Sequence, residues 1–473
     1  MNISKLTTAL FLSLTFGHSQ SAVHLSSSKT GSAIIVPFYS VSNQMNTLLS
    51  LNNTTDDNKA VKIIFKEAQK GETLLSFNVY LTGQDVWTMG TAQFDEEIKF
   101  LTLDESCTVG FPDLDEDISL NSEWLWENGT IEIIEMGTLN DLDALNPYDT
   151  DCDEMANFWH PGQMWDTDSE DKLSAATGGL HAEVTLMDVE QGHSANMPVI
   201  HLDGFYGEDN IQHTKPSTAI PNLSTGTQNS SVFSNGENIT TTWPTGYEAV
   251  SAVLTQHTLT NEFNTETAVA AQTEFIISMP TLHYHLSGSR SPFNTYSSSS
   301  LSFWFPTLYT NKQYFNRAGE MKSHYPCGNC SPIPPEVLRH SVSNFVFFRL
   351  PDEHIPGDIW TRPTPMLSEV NPDHLGNTLF MLTESIPYEA YEPWSFVNGK
   401  IKFLLEATND RGRSISDPSI VHTFHGMPVI GFAYTKFSNA NAQPGLLAQY
   451  AFMRKHFGEK KIEISQPGTG VEK

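Results

Sequence analysis

Basic residues are scarce in this 473-residue chain: 26 Lys and Arg stand against 55 Asp and Glu, a formal charge of −29. So negative a surface repels another polyanion, which makes nucleic acid an unfavourable partner. Long apolar runs are missing after the N-terminus, where no stretch approaches the roughly 20 residues of a spanning helix. Catalytic signatures are missing too. The chain contains no Gly-x-Ser-x-Gly elbow, no His-Glu-x-x-His and no Walker or dinucleotide-binding glycine loop. A glycosidase carboxylate pair stays open, because 55 acids offer no basis for choosing two. Cysteine is limited to four residues: Cys107, Cys152, Cys327 and Cys330.

What is present begins with a leader. Lys5 precedes an apolar stretch from Leu6 to Phe16, and small residues follow at Ser19, Ser21 and Ala22. This is the pattern of a secretory signal peptide, residues 1–22, too short for a membrane span. The expected location is therefore outside the cytoplasm: secreted, periplasmic or at the cell surface. The remaining chain of roughly 450 residues is long enough for two or three domains with real cores. Its acid is concentrated, with 23 Asp or Glu against the single Lys99 between Asp95 and Asp171. A solvated acidic face is the expected reading, with divalent-cation binding as its rival.

Period-two alternation dominates the rest. Val61, Ile63 and Phe65 alternate with polar neighbours, as do Leu75, Phe77, Val79 and Leu81, Ala182, Val184 and Leu186, and Ile401, Phe403 and Leu405. Apolar runs at 131–136, 275–277, 345–350 and 379–382 read as further strands. One-sided strands joined by short polar turns predict a mainly β protein of two antiparallel, immunoglobulin-like β-sandwich domains with few short helices. The expected organisation is a domain at 23–206 with an acidic insertion at 95–171, a polar linker or long loop at 207–245, a second domain at 246–457 and a disordered tail at 458–473. Helical spacing of Val250, Val253, Leu254 and His257 predicts a helix within 247–263, and 445–457 reads as partly helical. The polar stretch 287–300 reads as a surface loop.

Several stretches carry a resemblance. "GSAIIVPFYSV" (31–41), "LLSFNVYLTGQDVWT" (74–88), "GTIEIIEMG" (129–137), "GGLHAEVTLMDVEQG" (178–192), "TEFIISMPTLHY" (273–284) and "GMPVIGFAYTKFSNANAQPGLLAQYA" (426–451) resemble an uncharacterised family of secreted proteins of Gram-negative bacteria. The resemblance runs from residue 23 to about residue 457 and implies export and a β-rich body, with no activity attached. Members typically carry one Cys in a "SCTV" stretch and another before an aromatic segment. These fall on Cys107 and Cys152, so the resemblance supports pairing them. The family pattern is looser around 325–337, and Cys327 with Cys330 rests on this sequence alone.

Four cysteines allow three pairings, of which Cys107–Cys152 with Cys327–Cys330 is the simplest. Cys327-x-x-Cys330 is expected as a loop clip. Redox chemistry needs a helix N-terminus that Pro332, Pro334 and Pro335 discourage, and zinc needs two more ligands, for which His324 and His340 have the wrong spacing. No cofactor is expected beyond weak Ca²⁺ at Asp113, Asp115 and Asp117 or at Asp149, Asp151 and Asp153. Neither is an EF-hand, since Ile118 and Glu154 replace the turn glycine and Trp124 and His160 replace the closing Glu. His283 and His285 read as one face of a strand, a spacing able to hold a metal but more often a half-exposed pair. Trp87, Trp124, Trp126, Trp159 and Trp165 are expected in core and hairpin packing rather than stacked on sugars.

These readings lead to an exported, non-enzymatic envelope or extracellular protein with a structural or adhesive role, meeting other envelope proteins or glycans. A carbohydrate-binding or carbohydrate-active protein is the rival, and a calcium-stabilised binding module the third option.

Overall fold

The computed structural model describes residues 21–465 apart from 95–96, 113–126, 141–151, 208–209, 287–291, 294–307, 323–335, 339, 349–377, 383–396, 406–413, 420 and 444. The chain is mainly β, in several sheets whose strand pairs are antiparallel except Val342–Phe348 with Thr378–Leu382. The eight strands read from alternation or apolar runs all form.

The first sheet holds four long central strands in the order Ala33–Ser40 (β1), Asn128–Leu139 (β4), Lys59–Glu67 (β2) and Thr73–Leu81 (β3). Cys107–Val109 pairs beyond β3, and Ile200–Asp203 and His24–Leu25 lie beyond β1. A five-stranded second sheet runs His193–Met197, Leu180–Asp188, Met45–Asn53, Val86–Phe94 and Glu97–Leu101. Val61, Ile63 and Phe65 of β2 meet Leu49, Leu51, Val184 and Trp87 of the second sheet in one buried cluster. Each fully buried side chain of this size removes roughly 1.5–3 kcal/mol worth of apolar contact from water.

The third sheet is built on Thr258–Asn264 (β5), Asn398–Leu404 (β8) and Leu308–Asn316 (β7), with Phe457–Glu459 beyond β5. The fourth is built on Gln272–Ser278 (β6), Ile430–Gln443 (β9) and Leu446–Lys455 (β10). Phe263, Phe403, Phe275, Phe345 and Ala433 form their shared core. The alternate residues Phe432 and Tyr434 of β9 join the first cluster instead. The fourth sheet is therefore sandwiched between the third sheet and the N-terminal half.

Five expectations change. The strands of the first sheet are not one-sided: every residue of β2 is buried, Lys59, Lys62 and Lys66 included. Its outer face is covered by the helices Cys152–Asn157 (α1), Met164–Thr167 (α2) and Gly246–Leu254 (α3), and by the 210–228 segment. Within 207–245, read as a linker or long loop, Asn229–Ser234 and Glu237–Thr242 form a hairpin, and Leu223, Val232 and Trp243 are core residues beside α3. The expected helix at 247–263 ends at Leu254; Thr255 turns extended, and β-branched Thr258 and Thr260 continue as β5. The expected helical end at 445–457 is strand β10, fixed by its pairing with β9 from Gln443–Leu446 to Phe432–Lys455. Strand structure also extends into the expected tail, where Lys461–Ile464 pairs with His422–His425; residues 466–473 and nearly all of the 287–300 loop lie outside the described residues.

Candidate functional site

Cys107 and Cys152 are disulfide-bonded, with Cα atoms 5.2 Å apart across a separation of 45 residues. The bond fastens α1 to the edge of the first sheet, and it packs beside Met155, Trp159 and Trp165. Cys327, Cys330, Asp113, Asp115, Asp117, Asp149 and Asp151 lie outside the described residues, as do Trp124, Trp126 and His324. Asp153 is exposed in the first turn of α1. Among the described residues no group of three or more metal-ligating side chains converges.

His283 and His285 do not share a strand face. They sit in a helical turn, Leu282–His285 (α4), because Pro280 cannot donate to the ladder and the chain turns at Met279. His285 is buried 2.8 Å from the Ser251 hydroxyl, while His283 is half-buried and held below its ordinary pKa, chiefly by burial. Trp87, Trp159 and Trp165 are buried, which removes them as sugar platforms.

The outer face of the first sheet carries a row of buried charge. Lys59 pairs with Glu135 at 2.8 Å and Lys66 with Glu132 at 2.8 Å. Thr177 and Gly178 backbone N–H groups also donate to Glu135, and the Leu223 N–H and Tyr284 hydroxyl donate to Glu132. Lys62 has no carboxylate partner among the described residues; its Nζ donates to the Thr214, Lys215 and Pro216 carbonyls at 3.4, 2.5 and 3.3 Å. Burial lowers its pKa to about 7. Beside it, His213 donates from Nδ1 to the Ser169 carbonyl and accepts from the Tyr80 hydroxyl, which accepts from Trp159. That arrangement fits neutral imidazole, and burial lowers the His213 pKa to about 3. The row is enclosed and joins segments distant in sequence, so it serves as a structural seam.

An open cleft lies at the mouth of the third and fourth sheets, with a volume of about 510 Å³. Phe263, Ala433 and Thr435 line its depth, and the aromatic side chains of β9 and β10 line one wall. Phe437 stacks on Tyr450 at 4.9 Å and 21°, and lies 5.9 Å and 30° from Phe452. Arg454 covers Phe452 at 4.7 Å and pairs with Glu262. Phe437, Tyr450, Phe452 and Arg454 share one face because Phe437 opposes Tyr450 and Thr435 opposes Phe452 in the ladder. Tyr450 is 50 % exposed. The opposite wall holds Lys400 at the start of β8 and Asn316, Arg317 and Gly319 in the turn after β7. Gly319 takes φ +80°, and Asn316 closes the turn by accepting from the Glu320 N–H. A second depression of about 460 Å³ on the outer face of the third sheet shares Glu262 and Lys400 with the cleft and presents Phe315 and Phe457.

The sequence reading missed this cleft. Reading 445–457 as partly helical scattered its side chains, whereas the alternation Tyr450, Phe452, Arg454 was the available strand signal. Comparison with protein-family models, curated proteins and solved structures gives no match.

Proposed function

We propose that the chain is an exported, non-enzymatic binding protein of adhesive type, and that the cleft between the third and fourth sheets is its contact surface for glycans. The aromatic wall of Phe437, Tyr450 and Phe452 carries this reading. Its rings are close to parallel, partly exposed and rimmed by hydrogen-bonding groups, which suits the apolar face and hydroxyl edge of a pyranose. Binding rather than hydrolysis is favoured by the lining: Glu262 is the one described carboxylate in it, and that group is engaged by Arg454. Two-carboxylate hydrolysis needs a second acid about 5–9.5 Å away. The reading of two immunoglobulin-like sandwiches draws its support from two facing pairs of sheets, which share core through Phe432 and Tyr434.

A glycan panel read by affinity electrophoresis and calorimetry tests the proposal. Binding by the intact protein, weakened at least tenfold in Tyr450→Ala at unchanged melting temperature, is expected. Failure of every glycan class to bind sinks it.

A further inference from the structure

The cleft differs in charge from the molecule that carries it. Its lining holds Arg317, Lys400 and Arg454 against Glu262, a net of +2 from three cations and one acid, on a chain of net −29. Most described cations elsewhere already have partners. Lys59, Lys66, Lys70, Lys215 and Lys402 sit against carboxylates. Lys62 and Lys460 donate to backbone carbonyls. Within the cleft, Arg454 holds Glu262. Arg317 and Lys400 have no carboxylate partner among the described residues, and both are exposed at the same cleft wall. Glu320, the acid nearest in sequence to Arg317, is held by Asn316. Lys400 lines both depressions; its ammonium lies 4.8 Å over the Phe315 ring, and in the ladder it opposes Glu262, which Arg454 engages.

We propose that the cleft takes an anionic oligosaccharide, with sugar rings on Phe437 and Tyr450 and a carboxylate or sulfate on the opposite wall at Arg317 and Lys400. This deepens the glycan reading and rests on it. A guanidinium matches a carboxylate or sulfate in two parallel hydrogen bonds, and an ammonium adds a point charge. The negative remainder of the protein repels a polyanion everywhere else, so the cationic walls restrict where such a chain can settle. An acidic peptide offers the same charge, but its carboxylate side chains bring no sugar ring to the aromatic wall.

The test is titration of the intact protein with oligogalacturonate, with a neutral gluco-oligosaccharide of the same length and with poly-glutamate, at 50 and 300 mM NaCl. Oligogalacturonate is expected to bind at least tenfold more tightly than the neutral sugar, with an affinity that falls several-fold at the higher salt. Arg317→Gln with Lys400→Gln, two exposed changes, is expected to bring oligogalacturonate down to the affinity of the neutral sugar at an unchanged melting temperature. Tyr450→Ala is expected to weaken both sugars. Equal binding of the two sugars overturns the charge inference while the glycan reading stands. Binding of poly-glutamate alone, or of nothing, overturns both.

Discussion

Two buried histidines set an acid limit on the fold. His456 donates from Nε2 to the Ile276 carbonyl and accepts from the Asn261 amide at Nδ1. Protonation would turn that acceptor into a donor facing a donor. Burial holds His456 at about 4 and His213 at about 3. Both values lie below the unfolded-state value near 6.5, so the stability they contribute is complete above about pH 6.5. It is lost as pH falls from about 6.5 to the folded values, because over that range only the unfolded chain takes up the protons. Each contributes a slope of about 1.4 kcal/mol per pH unit within its window. Denaturant unfolding between pH 7 and 4.5 should show the decline, and His456→Gln should flatten it; an unchanged slope would remove His456 as a cause. The buried pair gives a second residue-scale prediction. Lys59→Met strands Glu135 and should cost about 3–5 kcal/mol, whereas adding Glu135→Gln should recover part of the loss. Recovery of nothing by the double variant would show that packing, not charge, is the source.

At the scale of elements, α3 is held at both ends. Thr245 accepts from the Glu248 N–H and its hydroxyl donates to the Glu248 carboxylate. Lys460 donates to the Val253 and Thr255 carbonyls at the other end. Thr245→Ala should lower stability by about 1 kcal/mol in equilibrium unfolding. The disulfide ties α1 to a sheet edge, and opening its 45-residue loop should cost roughly 4 kcal/mol in the chain-entropy account. Cys107→Ser with Cys152→Ser should therefore melt well below the parent, and equal melting temperatures would assign the bond no stabilising role.

Strands such as β2 and β6 were legible because alternation and β-branched residues are local signals. Burial of both faces of β2 was not. Lys59, Lys62 and Lys66 read as a solvent face, and only carboxylates, carbonyls and the Tyr284 hydroxyl, all far away in sequence, make their enclosure tolerable. Strand β10 shows the same limit: Leu446–Lys455 is apolar enough for helix or strand, and its long ladder to β9 decides between them. The cleft collects residues from 262 to 454 and has no local signature beyond Tyr450, Phe452 and Arg454.

The whole molecule is more unified than two domains joined by a linker. Ile276, Val342, Phe432 and Tyr434 belong to the N-terminal core, and α3 packs on Ala33, Ile35 and Ile134 of the first sheet. Ser278 donates to the Pro37 carbonyl, and His193 meets the Phe437 carbonyl behind the aromatic wall. Calorimetry should show one cooperative transition, and the chain cut after residue 206 should bind a hydrophobic dye. Two separate transitions would restore independent domains.

The strand Lys461–Ile464 and the Lys460 contacts with α3 also bear on timing. Synthesis proceeds from the N-terminus, yet α3 receives its C-terminal cap, and the His422–His425 strand the second of its two partners, from residues 460–464. A growing chain therefore cannot close its structure in instalments. It must carry α3 uncapped and the His422–His425 strand half-paired until residues 460–464 emerge, so a holding chaperone should matter more here than for a protein whose first half matures alone.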